Sequence, residues 1–278
     1  MSKKTWSLAL SIVFLATWML PLVVEAYTIN NFFVQQRYYE DKTKGPNGNG
    51  QLVRVWLDIK DDNGAYITQN LLTSVALYDP NGAQVDDVTL ENMSFDSPYT
   101  EVDGNYDGSS GFWYFNDPYA VSGYYTAFEK GTKLIVGTYR ISIVYDGITL
   151  EKTFDFAGKV ALAYVKSSTI SYHIDNKGNL IATWDIPDNL LRTFPSVGIS
   201  SRAMIEVYKK VSKTKKKCVY YLGVRVPLAA GRLFVPKALV TAIKASTTKR
   251  LVYITIQART NNNCNRSLSK PVEMTKLE

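Results

Sequence analysis

The sequence predicts an all-β chain, with two antiparallel β-sandwich domains, residues 27–157 and 158–278, behind a cleavable N-terminal segment, residues 1–26. Three observations carry this reading. Short runs rich in Tyr, Thr, Val and Ile recur along the chain and fit a pleated, half-buried surface. Clusters containing Asn-Gly or Asp-Gly punctuate them, as hairpin turns do. Charge divides near Gly158: residues 27–157 carry 9 Lys+Arg against 18 Asp+Glu (net −9), and residues 158–278 carry 21 against 6 (net +15).

The N-terminal segment has the three parts of a secretory signal in order. Lys3 and Lys4 give a positive start, Trp6 to Leu20 is apolar and uncharged, and Pro21 precedes Val24-Glu25-Ala26 with small residues at the peptidase positions. Cleavage is expected after Ala26. The apolar run is short for a membrane span, and no later stretch is apolar enough for one. The mature chain is therefore expected to be soluble and exported, either secreted or periplasmic.

In the acidic half, Leu52 to Ile59 reads as a strand closed by Asp61-Asp62-Asn63-Gly64, and Leu72 to Tyr78 as another closed by Asp79-Pro80-Asn81-Gly82. Gln84 to Met93 reads as extended chain. Thr138 to Tyr145 and Ile148 to Phe156, joined by Asp146-Gly147, form a hairpin whose alternation puts Tyr139, Ile141, Ile143 and Tyr145 on one face. In the basic half, Thr169–Ile174 and Leu180–Trp184 flank Asp175-Asn176-Lys177-Gly178 as a hairpin. Further strands are expected at 203–210, 219–226, 232–235, 250–259 and 268–274, with a short helix or irregular turn over Pro236–Lys244.

Within this half, Leu180-Ile181-Ala182-Thr183-Trp184-Asp185-Ile186-Pro187 resembles the second strand of a fibronectin type III module, with its core Trp. Val252 to Asn261 resembles that family's sixth strand, and Leu268-Ser269-Lys270-Pro271-Val272 its last. The likeness covers roughly residues 165 to 276 and implies a fibronectin-like sandwich. If Ala258 takes the family's inward Ala position, the usual Tyr position falls on Val252. The acidic half resembles immunoglobulin-like modules only in its final hairpin.

Few residues offer reactive chemistry. His173 is the only histidine and falls in a predicted strand, so a Ser- or Cys-His catalytic pair has little to draw on. Cys218 and Cys264 are the only cysteines, and zinc lacks ordinary ligands. In a fibronectin-like sandwich those cysteines fall at opposite poles, roughly 20 Å apart, which argues against the disulfide that an even count and an oxidising compartment otherwise favour.

Asp103, Asn105 and Asp107 with Gly108 reproduce the front of a Ca²⁺ loop, but its twelfth position is Tyr114 where a Glu is needed. The expectation is a Gly-rich turn and no cofactor, with Ca²⁺ as the alternative. The aromatic series Phe112, Trp113, Tyr114, Phe115, Tyr119, Tyr124, Tyr125 and Phe128 cannot all face one core. Trp113, Tyr114, Tyr119, Tyr124 and Tyr125 are therefore candidate ligand-binding residues. Lys213, Lys215, Lys216 and Lys217 cap a predicted hairpin, where they shield a strand edge or meet an anionic surface. Nucleic acid fits poorly, because no nucleic-acid motif accompanies the charge.

The functional expectation is an exported, non-enzymatic binding or interaction protein with a protein or glycan partner, the alternative being a carbohydrate-binding protein using the aromatic cluster. A glycan hydrolase needs two carboxylates across a cleft, and none are visibly paired in the sequence. Opposite charges on the two halves also suit self-association.

Overall fold

The computed structural model describes residues 27–46, 48–128, 132–192, 199–212, 215–246 and 250–277. Residues 1–26, expected to form a secretory signal, therefore lie outside the described residues, as does Lys213. Among the described residues, sixteen strands form from the alternating sequence. In the first half they are β1 (Tyr27–Tyr39), β2 (Gln51–Asp61), β3 (Leu72–Tyr78), β4 (Ser94–Asp107), β5 (Phe112–Phe115), β6 (Tyr119–Ala127), β7 (Gly137–Tyr145) and β8 (Ile148–Phe156). The second half has β9 (Ser171–Ile174), β10 (Leu180–Thr183), β11 (Ile199–Lys210), β12 (Lys216–Val226), β13 (Arg232–Val235), β14 (Arg250–Thr260), β15 (Asn265–Leu268) and β16 (Val272–Glu273). Among the described residues two short α-helices, α1 (Asp188–Arg192) and α2 (Lys237–Ala245), accompany it.

The expected pair of separate sandwich domains, immunoglobulin- or fibronectin-like, is not what forms. Eight strands close into one barrel in the order β11-β12-β4-β6-β2-β1-β15-β14, with β14 returning to β11; β5 and β16 pair onto its rim. Each half contributes four strands. They meet at two parallel joints, β12 with β4 (Tyr220 opposite Thr100 to Arg225 opposite Asn105) and β1 with β15 (Gln36 opposite Asn265 to Tyr39 opposite Leu268). All the other barrel neighbours are antiparallel. Closure has a physical reason: two open sheets would leave four long edges with unpaired N–H and C=O groups, and joining them removes all four.

Two small sheets, β3-β7-β8 and β13-β10-β9, cover the outside of this barrel. The first packs Val75, Leu77, Tyr139, Ile141, Ile143 and Tyr145 against Val34, Val55, Leu57 and Ile59. The second, with Val240 and Ile243 of α2, packs Leu180, Ala182, Leu233 and Val235 against Ala203, Ile205, Leu222, Val224, Ile254 and Ile256. Trp184 is buried in this second core.

The β7–β8 turn forms as the sequence dictates. Asp146 and Gly147 both have positive φ (48° and 76°), the backbone a two-residue Asp-Gly hairpin requires. The strand β1 has no counterpart in the sequence reading, and two local expectations are corrected. Gln84–Met93 is turn and irregular chain, and the strand starts at Ser94. The stretch from Asp103 to Asp107 is strand, with the turn confined to the residues that follow. No helix among the described residues is long and apolar enough to cross a membrane.

Candidate functional site

Because strand side chains alternate, the apolar outer face of each barrel strand leaves its other face pointing into the lumen. That inner face is polar and aromatic. It carries Gln35, Arg37 and Tyr39 of β1, Arg54 and Trp56 of β2, Asp96, Tyr99, Glu101 and Asp103 of β4, and Tyr125 of β6. From the second half come Arg202, Glu206 and Tyr208 of β11, Tyr221 of β12, Thr255, Gln257 and Arg259 of β14, and Arg266 of β15. Groups on opposite walls sense one another, Arg54 with Glu206 and Arg266 with Tyr221. Many of these side chains, Arg54, Glu206, Tyr221 and Arg266 among them, keep intermediate accessibility although strands surround them.

At one mouth of the lumen lies a cleft of about 190 Å³, lined by Tyr39, Leu52, Arg54, Ser94, Tyr125 and Ala127. Its geometry is set by aromatic rings. Trp56 and Tyr125, directly opposite on β2 and β6, lie nearly parallel (9°) with centroids 6.4 Å apart. Gly123 makes this placement feasible, since a Cβ there would sit 2.6 Å from Cζ2 of Trp56 and 2.9 Å from the Leu57 carbonyl oxygen. The Arg54 guanidinium lies 4.3 Å from the Tyr125 ring centroid and 5.9 Å from that of Trp56. Such stacking fixes the guanidinium plane. The buried Arg54 Nε has no hydrogen-bond partner among the described residues.

Electrostatics mark this mouth as a low-dielectric setting. Burial, reinforced by Arg37, pulls Arg54 down to about 10, against the opposing charges of Tyr39, Tyr125 and Asp96. Burial raises Asp96, which Arg54 and Lys217 only partly offset. Glu206 is likewise raised by burial, although the Tyr208 hydroxyl donates to its Oε1 at 3.1 Å. Burial, then Glu206 and Asp96, hold the Cys218 thiol protonated, which makes it a poor nucleophile. Cys218 and Cys264 are both free.

Further along the lumen, Arg202 Nη2 donates to Glu101 Oε1 at 3.0 Å and to Asp103 Oδ1. Its guanidinium folds back over Gly223, where any Cβ would collide with it. Tyr119 donates to the other Asp103 oxygen at 2.7 Å.

The five aromatic candidates do not gather into one site. Tyr125 alone lines the cleft. Tyr124 faces the first core and donates to Asn70 Oδ1 at 2.9 Å. Tyr119 is held by Asp103. Trp113 packs against Tyr106 (4.5 Å) and Phe234 (6.5 Å) beside the second core. Tyr114 is exposed on β5 together with Phe112.

Asp103, Asn105 and Asp107 occupy alternate positions of β4, about 6.8 Å apart along the strand, so they do not converge as a cation loop would. Asp107 closes the following turn instead, accepting from Ser109 N and from the Ser109 and Ser110 hydroxyls. Among the described residues no group of three or more His, Cys, Asp and Glu is placed to hold a metal.

Lys215, Lys216 and Lys217 are exposed at the β11–β12 hairpin, with Lys216 over the rings of Tyr208 (4.3 Å) and Tyr253 (4.5 Å). His173 is exposed on β9.

Sequence reasoning missed Arg54 and Trp56, which sit at the polar positions of a strand recognised only for its apolar ones. A signal was present: among the described residues, nine of the ten arginines lie in strands, against six of the seventeen lysines. A long cation kept inside a strand needs a partner surface that a turn lysine does not.

Compared with known proteins, the chain matches no family model, and no curated protein matches it in sequence.

Proposed function

We propose that the chain is an exported, non-enzymatic binding protein whose ligand enters the barrel mouth between Arg54, Tyr39 and Tyr125. The observation that carries this reading is the Arg54 guanidinium, stacked on two rings beside an open cleft and lacking a partner for its buried Nε. A preformed apolar platform with a few oriented donors is the common design of small-ligand sites. The Tyr125 face and the Arg54 fork suit a saccharide ring with hydroxyl or acidic substituents. Export rests on the ordered features of the first 26 residues.

The test is a tryptophan-fluorescence titration with a panel of neutral and acidic mono- and disaccharides. Trp56 lies against the cleft wall, so a ligand there is expected to change the emission. Tyr125→Ala and the cleft-filling Ala127→Trp should weaken the response at least about tenfold. No response to any member of the panel, or an equal response in both variants, overturns the reading. Phe112 and Tyr114, exposed side by side on β5, support a second reading, a flat contact with a protein or glycan surface. That reading requires Phe112→Ser/Tyr114→Ser to lose binding while Tyr125→Ala keeps it.

A further inference from the structure

The lumen treats its arginines in two ways. Arg202 is given two carboxylates, Glu101 and Asp103. On the facing wall, Arg37, Arg266 and Arg259 stand on three consecutive strands, β1, β15 and β14. Arg37 is directly opposite Arg266, and Arg266 directly opposite Arg259, all pointing inward. Adjacent strands are about 4.8 Å apart, so three guanidinium groups share one small region. Among the described residues no carboxylate lies within ion-pair distance of any of them.

Their neutral partners hold them by one edge. Arg37 Nε donates to Gln35 Oε1 at 3.1 Å. Arg259 Nε donates to Ser200 Oγ at 3.3 Å. Arg266 uses Nε and Nη2 on Asn263 Oδ1 at 3.2 and 2.8 Å, with Phe33 under its plane at 5.2 Å. Both terminal nitrogens of Arg259 and Nη1 of Arg266 make no hydrogen bond to protein among the described residues, and both side chains keep partial accessibility.

We infer that this wall is an oxyanion site, in which Arg37, Arg259 and Arg266 together hold one carboxylate, phosphate or sulfate group. Three like charges side by side repel, and an anion between them offsets that repulsion and accepts from the donors that protein groups leave free. Burial first, and the neighbouring arginines second, lower Arg259 and Arg266, so the unliganded wall is electrostatically uncomfortable as it stands. Guanidinium forks offer paired N–H donors that match the spacing of two oxyanion oxygens. Neither Arg54 nor the cleft is required for this site, although Arg37 lies close enough to Arg54 to influence it.

The test is calorimetric titration of the mature chain with inorganic phosphate and, separately, with galacturonate, at fixed ionic strength set by chloride. Phosphate is expected to bind with measurable heat and to raise the melting temperature. Arg266→Gln and Arg259→Gln should weaken phosphate at least about tenfold, while the uncharged cleft changes Tyr125→Ala and Ala127→Trp leave it unchanged. Arg259→Lys, which keeps the charge and loses the fork, should fall between these. A free ion suffices as ligand if phosphate alone binds; galacturonate that binds more tightly than phosphate and loses affinity in both variant sets identifies the acidic group of a cleft ligand. The inference is overturned if phosphate gives no heat at millimolar concentration. It is equally overturned if Arg259→Lys and Arg266→Gln, with native circular dichroism, bind phosphate as the parent does. Because the cleft variants are scored in parallel, failure here is separable from failure of the cleft reading.

Discussion

The two faces of the barrel wall obey opposite rules. Outward, β2, β11 and β14 present Val55, Leu57, Ile205, Val207, Ile254 and Ile256, all buried against small sheets. Inward, the same strands present Arg54, Trp56, Arg202, Glu206, Thr255 and Gln257. A small barrel usually fills its interior with packed apolar side chains. Here the stabilising cores are outside and the interior is left to polar groups. Stability and binding are thereby assigned to different faces of one wall, and substitutions on the two faces should separate.

The sharpest separation is expected between adjacent residues on β14. Ile254→Ala removes a fully buried side chain from the second core and should cost about 2–5 kcal/mol. Thr255→Val, one residue on and facing the lumen, removes a hydroxyl with no partner and should change stability by less than about 1 kcal/mol. Urea unfolding of both variants measures the contrast, and comparable losses would erase the distinction between faces.

Gly123→Ala tests the lumen where it is tightly packed. The added methyl must displace the Trp56 ring or the Leu57 carbonyl, so a loss of about 1–3 kcal/mol is expected. Trp56 emission should shift with it. A variant as stable as the parent, with unchanged emission, would show that the ring does not lie there.

The third prediction concerns pH. Glu206 faces Tyr208, Lys216, Arg54 and Asp96, and burial raises its pKa. The unfolded chain releases this proton near the ordinary Glu value of about 4.3, while the native chain still holds it. The stabilisation is therefore complete below the unfolded value and is lost as pH rises through the higher native one. Asp96 and Glu101 shift in the same direction, burial again being the first cause. Denaturation from about pH 4 to about pH 8 should show a shallower decline in Glu206→Gln than in the parent. Equal slopes would mean that Glu206 is in contact with bulk water.

Local structure was legible in the sequence, and closure was not. The Asp146-Gly147 turn, the inward stripe Tyr139, Ile141, Ile143 and Tyr145, and the strands over Leu72–Tyr78 and Arg232–Val235 follow from patterns a few residues long. The joints β12–β4 and β1–β15 pair residues more than a hundred positions apart, and a parallel ladder leaves no turn signature between its strands. The strand β1 escaped notice because Asn30, Asn31, Gln35 and Gln36 interrupt its apolar alternation; Gln35 is a lumen residue and Asn31 helps bind Asp58. Alternation tells which face is polar, but not whether that face meets bulk solvent or an enclosed lumen. Arg54 and Arg266 went unremarked for that reason. Of the named site residues only Tyr125 reaches the cleft, since consecutive aromatic residues on β5 and β6 alternate between faces and cannot converge.

The account rests on the barrel being closed across its two halves, and residue-resolved hydrogen exchange tests this most directly. Closure predicts slow exchange for the amides that pair across both parallel joints, Thr100–Asn105 with Tyr220–Arg225 and Gln36–Tyr39 with Asn265–Leu268. Their protection should approach that of Ile254 and Leu57. Fast exchange along either joint, with the two outer cores still protected, would mean two independent sheets and no lumen.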